Sequence, residues 1–246
     1  MERRAALVTG AASGIGRAIA QRLEADGLAV LAVDLAPDPD GPGDPFTADL
    51  TTGEGNRAAV EAAVERYGRL DVVVPNAGVQ HIAPVEEFSE QWWRSLIELL
   101  LTSPFLLASH AWQALGESGQ GRFIAVASVH GLVASPYKAA YVSAKHGLLG
   151  LVKVLALEGA EHGIAATAVC PGYVRTPLVE DQIGAQARTH GIDERDVLEQ
   201  VILQPHAIKQ LIEPSEVAEV VSMLTRSTGA AFTGSPVVMD MGWSAR

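Results

Sequence analysis

The aliphatic run Ala5–Thr9 passes without a break into Gly10-Ala11-Ala12-Ser13-Gly14-Ile15-Gly16, and a helical pattern follows over Gly14–Asp26. This junction restricts the fold more than any other stretch of the chain. Its glycines permit a tight turn, keep Cβ atoms away from whatever approaches the backbone, and let the helix press closely on the strand. The helix then opens toward the turn with unpaired N–H groups and the positive end of its dipole. A strand that feeds a helix in this way is the first half of a right-handed crossover to a parallel neighbour.

The alternation continues to the end of the chain. Short apolar runs at Ala29–Asp34, Asp71–Asn76, Arg122–Ser128, Ala165–Cys170 and Pro236–Asp240 read as strands, with a weaker one near Phe46–Ala48. Helical patterns over Gly53–Tyr67, Ser89–Gly116, Tyr141–His162 and Pro214–Arg226 lie between them. Hydrophobic residues make up 48% of the 246 residues and aromatics only 5%, which suits parallel strands buried on both faces. The expected fold class is α/β: a doubly wound parallel sheet, a three-layer α/β/α Rossmann fold, in a single domain over residues 1–246. Pro37–Pro45 reads as a loop. Residues 171–211 are polar, charged and weakly periodic. A stretch of that length inside a compact domain reads as a substrate lid over the ligand edge of the sheet, with a surface insertion as the alternative.

Charge and composition narrow the function. The formal net charge is −11, so the chain has no electrostatic footprint for nucleic acid. Met1–Arg4 leads at once into the first strand, leaving no room for a signal peptide, and the apolar stretch Leu96–Ala108 is interrupted by Glu98 and Pro104. A soluble cytoplasmic protein without membrane contact is expected. The lone Cys170 excludes an internal disulfide and, at the end of an apolar strand, reads as buried and inert. No histidine pair has ligand spacing with a carboxylate or thiolate nearby, so no metal is expected; His110 and His146 read as helix residues.

A strand, a glycine turn and a helix N-terminus together suit the pyrophosphate of a dinucleotide. Asp34 ends the second strand, close to the spacing of about 20 residues at which an acid binds the adenosine ribose hydroxyls. Its carboxylate repels a 2′-phosphate, and neither Ser13 nor Leu35 supplies a cation to receive one. NAD is therefore expected over NADP, although Asp34 also has a plain reading as a turn residue.

Tyr141 and Lys145 share one helix face at i, i+4 spacing. A phenol with its ordinary pKa of about 10 is a poor base at neutral pH. A neighbouring ammonium and a bound nicotinamide cation both favour the phenolate. Ser128, at the end of the preceding strand, is placed to hold a substrate oxygen while Tyr141 moves its proton.

With Thr9–Gly16, Asp49, Asn76-Ala77-Gly78, Ser128, Tyr141, Lys145 and Pro171-Gly172-Tyr173-Val174-Arg175-Thr176 in place, the chain resembles the short-chain dehydrogenase/reductase family over essentially its full length. The resemblance implies a nicotinamide-dependent alcohol dehydrogenase. It implies cofactor contacts at Gly10, Ser13, Gly14, Ile15, Gly16, Asp34, Asp49, Leu50, Asn76, Ala77, Gly78, Tyr141, Lys145, Pro171, Gly172, Val174 and Thr176. Asp49 would lie near the adenine, Lys145 on the nicotinamide ribose, and Val174 and Thr176 at the nicotinamide end. It also implies a homotetramer built on the two long apolar helices, with Gly242-Trp243 packing at another subunit.

Within that family, Gly78–His81, Ser128–Ser135, Ala144–Gly147 and Val174–Glu180 are most similar to the bacterial D-3-hydroxybutyrate dehydrogenase branch. The likeness implies that Gln80, His130, Lys138 and Gln182 hold a substrate carboxylate, with Ser128, Tyr141 and Tyr173 completing the substrate site. A small hydroxy acid needs its charge neutralised, and Lys138 supplies a cation three residues before Tyr141. Leu100 departs from the family, which has an Asn there that supports a helix kink and a water chain to the lysine. Pro75, Tyr173 and the Pro136-Tyr137 pair are further departures. Two alternatives stand beside the hydroxybutyrate reading. One is a dehydrogenase of the same mechanism for another small hydroxy acid or secondary alcohol; the other is a catalytically weak NAD-binding sensor or scaffold.

Overall fold

The computed structural model describes residues 3–180 and 182–245. Met1 and Glu2 of the N-terminal segment and Asp181 of the segment read as a lid lie outside the described residues. Seven strands form one all-parallel sheet: β1 (Ala5–Thr9), β2 (Ala29–Asp34), β3 (Asp44–Thr47), β4 (Val72–Val74), β5 (Arg122–Val126), β6 (Ala165–Pro171) and β7 (Pro236–Met239). Their spatial order is β3-β2-β1-β4-β5-β6-β7. The chain builds outward from β1 to β3 and then returns to the other side of β1 with β4. The crevice at this reversal, beyond the C-terminal strand ends, is where such sheets bind ligands.

Helices cover both faces: α1 (Gly14–Ala25), α2 (Gly53–Tyr67), α3 (Glu90–Ile97), α4 (Ser103–Glu117), α5 (Ala139–Gly159), α6 (Pro177–Glu180), α7 (Ile183–His190), α8 (Glu194–Val197) and α9 (Pro214–Thr225). Alternate residues of each strand feed opposite cores. Leu7 and Phe123 join Leu107, Leu115, Leu148 and Val152 of α4 and α5 on one face. Ala6, Val8 and Ile124 join Ile19, Leu23, Val217 and Val221 of α1 and α9 on the other. By length and composition Ala139–His162 is apolar enough to cross a membrane. Here α5 packs against β6 and α3 as a core helix.

Local chemistry explains where the elements depart from expectation. The fourth strand ends at Val74, not Asn76, because Pro75 has no N–H to extend the ladder. The third begins at Asp44, inside the stretch read as a loop, and Pro45 is tolerated because β3 lies at the sheet edge. The helix expected over Ser89–Gly116 is divided by a π-helical turn, Glu98–Thr102, in which Ser103 N–H reaches back to Glu98 C=O. Pro104 gives the reason: its ring conflicts with the Leu100 carbonyl in regular α-geometry and it has no N–H to donate. The opening therefore forms without a polar side chain at Leu100.

Residues 171–211 are not a structureless loop. They form α6, α7, α8 and a π-helical turn at Leu198–Ile202 around a small core of Tyr173, Ala187, Val197 and Ile202, against which Trp243 packs. The apolar positions are divided among several short helices, so no single helical period shows in the sequence.

One buried polar residue ties the helical layer to the strand ends. Asn56, fully buried in α2, donates through Nδ2 to the carbonyls of Leu50 (2.9 Å) and Thr52 (2.7 Å) and accepts from Ser103 Oγ (2.7 Å). Asn56→Ala removes all three bonds, and urea unfolding should show a loss of about 3 kcal/mol. Ser103→Ala, which removes one, should cost about 1 kcal/mol. Equal losses in the two variants would contradict this account.

Candidate active site

A cleft of about 410 Å³ runs along the C-terminal strand ends from Asp34 to Trp243. Every residue expected at the site lines it except Gly16. Gly16 faces inward instead: a Cβ there would stand 2.1 Å from Gly10 O and 2.5 Å from Asn76 Nδ2. It lets α1 close on the turn and does not face a ligand.

At the glycine end, Gly10 sits at φ +66°, and a Cβ would meet Ala77 Cα at 2.9 Å. The turn is clipped to β4 by Thr9, whose Oγ1 accepts from the N–H groups of Asn76 and Ala77, both at 2.9 Å. Asn76 Nδ2 returns a bond to Thr9 C=O at 2.8 Å. Ser13 begins α1 without a side-chain capping bond, so the first N–H groups of the helix face the cleft free of a capping side chain. Asp34 accepts from Ala12 N–H (3.1 Å) and Ala36 N–H (3.2 Å). A carboxylate has lone pairs to spare beyond two such bonds. Asp49 accepts from the hydroxyl and N–H of Thr51, and these bonds hold its carboxyl below the usual range. The bare cradle, the uncapped helix and the acid at the β2 end together fit an adenine dinucleotide.

At the far end, α5 carries Tyr141 and Lys145 into the cleft beside Ser128, which caps the short helical turn after β5. The Ser128 hydroxyl stands beside the Tyr141 phenol at the cleft. Lys145 Nζ donates to Val126 C=O at 2.8 Å and lies 5.6 Å from the centre of the Tyr141 ring. The protein's own groups do not produce the expected fall in the Tyr141 pKa: burial pushes the phenol up to about 12. Burial also pushes Lys145 down to about 8, so the ammonium beside the phenol is itself destabilised. Desolvation outweighs a charge 5.6 Å away until further positive charge enters. Cys170 lies fully buried behind this group, its thiol pushed up to about 11 by burial.

The substrate end is aromatic and holds a cation. Lys138 is only 3% exposed, and its Nζ donates to Tyr173 Oη at 2.9 Å. Among the described residues no carboxylate pairs with it, and burial pushes its pKa down to about 8. Tyr137, the residue before it, holds a left-handed backbone (φ 68°) and sets its ring edge-on to His190 of α7. This turn aims Lys138 inward. Tyr173 is buried, its phenol pushed up to about 12 by burial.

Trp243, expected at another subunit, packs within its own chain. It stacks on Tyr173 at 5.5 Å between ring centres and meets His130 edge-on at 5.1 Å, forming a wall of the cleft. Folding, not sequence proximity, brings the C-terminal segment there. Trp243 is thus a cleft residue that the sequence does not reveal; only the small apolar core around Tyr173 signals it. His130 is buried and neutral, pushed down to about 3 by burial, with its ring nitrogens facing Ser128 and Ser135. Gln80 Oε1 accepts from His81 N–H, and Gln182 Nε2 donates to Leu178 C=O, each at the cleft wall.

Lys138 is a buried cation held at a cost to stability. Its folded pKa of about 8 lies below the ordinary 10.5, so between these values the unfolded chain binds more protons. Stability therefore rises with pH across that window, and below pH 8 the full penalty is present. Lys138→Met should raise the melting temperature at neutral pH, and the gain should shrink as pH approaches the ordinary lysine value. A gain independent of pH would show that the lysine is not buried as a charge.

Known proteins share this architecture. Residues 4–186 match the family model for the short chain dehydrogenase. The chain is 40% identical to the uncharacterized oxidoreductase YxjF of Bacillus subtilis, with all of both chains covered. It is 40% identical to the D-beta-hydroxybutyrate dehydrogenase of Rhizobium meliloti over 98% of each. Among solved structures, a tryptophan-substituted variant of actinorhodin polyketide ketoreductase with NADPH superposes with a TM-score of 0.92 at 32% identity over the whole of both chains. With the glycine cradle at one end of the cleft and Ser128, Tyr141 and Lys145 at the other, the chain belongs to the short-chain dehydrogenase family of nicotinamide-dependent oxidoreductases.

Proposed function

We propose that the protein is an NAD-dependent dehydrogenase that interconverts D-3-hydroxybutyrate and acetoacetate. One observation carries the reading: Lys138, buried at the end of the cleft that holds Tyr141, has a neutral phenol and no carboxylate as its partner among the described residues. A buried ammonium without a counter-ion is costly, and a substrate carboxylate removes that cost. Gln80, Gln182 and His130 line the same end and supply hydrogen-bonding groups. Tyr173 and Trp243 form an apolar wall for a short alkyl group.

Asp34 favours NAD. The lining residues beside it, Leu35, Ala48, Asp49 and Leu50, carry no cation. Arg17 of the adjoining helix is paired with Asp38 at 2.5 Å and does not line the cleft. Asp34→Ala should lower kcat/KM for NAD by about tenfold, the worth of a hydrogen bond to a charged group, and narrow the preference over NADP. An unchanged preference would remove Asp34 from this role.

A nicotinamide bound at the Tyr141 end supplies the hydride acceptor. Ser128 holds the substrate hydroxyl, and Tyr141 takes its proton. Lys145 keeps positive charge beside the phenol and has donors left for a ribose, having used one on Val126. Burial keeps Tyr141 protonated at rest, which suits an acid in ketone reduction. Acting as a base requires the charges that ligands bring. The exposed apolar side chains Phe105 of α4 and Val154 and Leu157 of α5 support assembly as a homotetramer through these helices. The net charge of −11 and the packing of α5 as a core helix support a cytoplasmic enzyme of small molecules.

Tyr141→Phe should lower kcat by roughly 10²–10⁴ with little change in KM. Undiminished NADH formation would mean an NAD-binding protein whose chemistry does not use Tyr141. Lys138→Met should raise KM for D-3-hydroxybutyrate and leave butan-2-ol oxidation unchanged. If the wild type uses both alcohols with equal efficiency, the carboxylate pocket is wrong and another secondary alcohol is the substrate.

A further inference from the structure

A line of hydrogen-bonding groups begins beside the Tyr141 hydroxyl. The first is Ser128, which lines the cleft beside the phenol. Its Oγ stands 3.4 Å from His130 Nδ1, long for a resting hydrogen bond and close enough to tighten when a substrate closes the site. On the other side of the ring, His130 Nε2 meets Ser135 Oγ at 3.0 Å. Ser135 is part-exposed and lies between exposed Ala134 and Pro136. The line therefore starts at the reacting oxygen and ends at the surface.

The imidazole is held for this path. Ser128 caps the turn Val129–Gly131 and accepts from the His130 N–H at 3.1 Å, which fixes the backbone of one residue to the side chain of the other. The rings of Tyr141 and Trp243, at 5.9 and 5.1 Å and nearly perpendicular, fix its plane. Burial keeps it neutral, so one ring nitrogen accepts while the other donates. Elsewhere the tyrosine packs against apolar side chains, Leu96, Leu100, Ala140 and Ala144, which offer no hydrogen-bonding group. Lys145 already directs a donor to Val126 C=O.

We propose that Ser128, His130 and Ser135 form a proton relay that joins Tyr141 to solvent. This rests on Tyr141 being the acid/base of the proposed reaction. In alcohol oxidation the substrate O–H bond breaks, its proton passes to Tyr141, and the hydride with its electron pair goes to the oxidised nicotinamide coenzyme. As Tyr141, a phenol at rest, takes that proton, its own moves to Ser128 and the Ser128 proton moves to His130 Nδ1. The proton on Nε2 leaves through Ser135 to water. One proton reaches solvent for each hydride transferred, and the ring, neutral before and after, resets its tautomer between turnovers. Ketone reduction runs the same transfers inward. His130 thus has a task besides facing the substrate, and Ser135, remote from the substrate, becomes part of the reaction.

Stopped-flow single turnovers read both events, NADH by absorbance and the released proton by a pH indicator, using whichever secondary alcohol the wild type oxidises. In the wild type the two traces should coincide. In Ser135→Ala, proton release should lag by about tenfold, no more than a positioned proton carrier contributes. Its solvent isotope effect should rise, with the NADH step and KM unchanged. His130→Ala should show a larger lag that added imidazole shortens. Proton release keeping pace with NADH in both variants would overturn the relay. Tyr141→Phe run alongside separates the two readings: if it still forms NADH at the full rate, the acid/base assignment has failed, whereas an inactive Tyr141→Phe with synchronous release in the Ser135 and His130 variants defeats the relay alone.

Discussion

The site depends on the clip between the first and fourth strand ends. Thr9 accepts from two successive main-chain donors, Asn76 and Ala77, while the Asn76 amide returns a bond to Thr9. These bonds lock the glycine turn against the strand on the other side of the topological reversal. Gly10 and Gly16 are needed because the turn and helix then approach to distances at which a Cβ would strike backbone. With the clip in place, the crevice has fixed walls, and α5 can present Tyr141 and Lys145 at a set distance from the cradle.

Desolvation sets the electrostatics of the rest. Tyr141, Tyr173 and Cys170 are pushed up, and Lys138, Lys145 and His130 are pushed down, with burial as the first cause in every case. A cleft of this kind is poor in charge and responds strongly to any charge that enters. The two lysines mark opposite needs. Lys145 stands beside the Tyr141 ring, and Lys138 stands against the Tyr173 phenol with no carboxylate partner among the described residues. The aromatic wall of Tyr173 and Trp243 keeps that end dry, which strengthens both.

The π turn at Glu98–Thr102 shows how a departure from family pattern is absorbed. Pro104 maintains the opening in the helix without the asparagine, so the shape of the cleft survives. The polar amide does not, because Leu100 turns into an apolar cluster.

The alternation of aliphatic runs with helical periods is sufficient to specify the parallel sheet, because β1 and β2 bury continuous apolar stretches and α1 and α2 follow them with helices that start and stop at turn residues. The glycine cradle, Asp34 and the Tyr141–Lys145 pair are equally legible, since each depends on residues close in sequence whose spacing is the geometry. Gly16 reads as a ligand contact in the sequence and serves packing in the fold, a distinction that needs the distance to Gly10. Trp243 and the folded segment around Tyr173 are not readable, because their positions depend on contacts between residues far apart in the chain. The ionisation of Tyr141 escapes the sequence for the same reason: neighbours along a helix are visible there, but the depth of burial that outweighs them is a property of the whole packed fold. Sequence determined which chemical groups this protein has and in what local order; tertiary structure decided which of them face one another, because only packing removes the water between them.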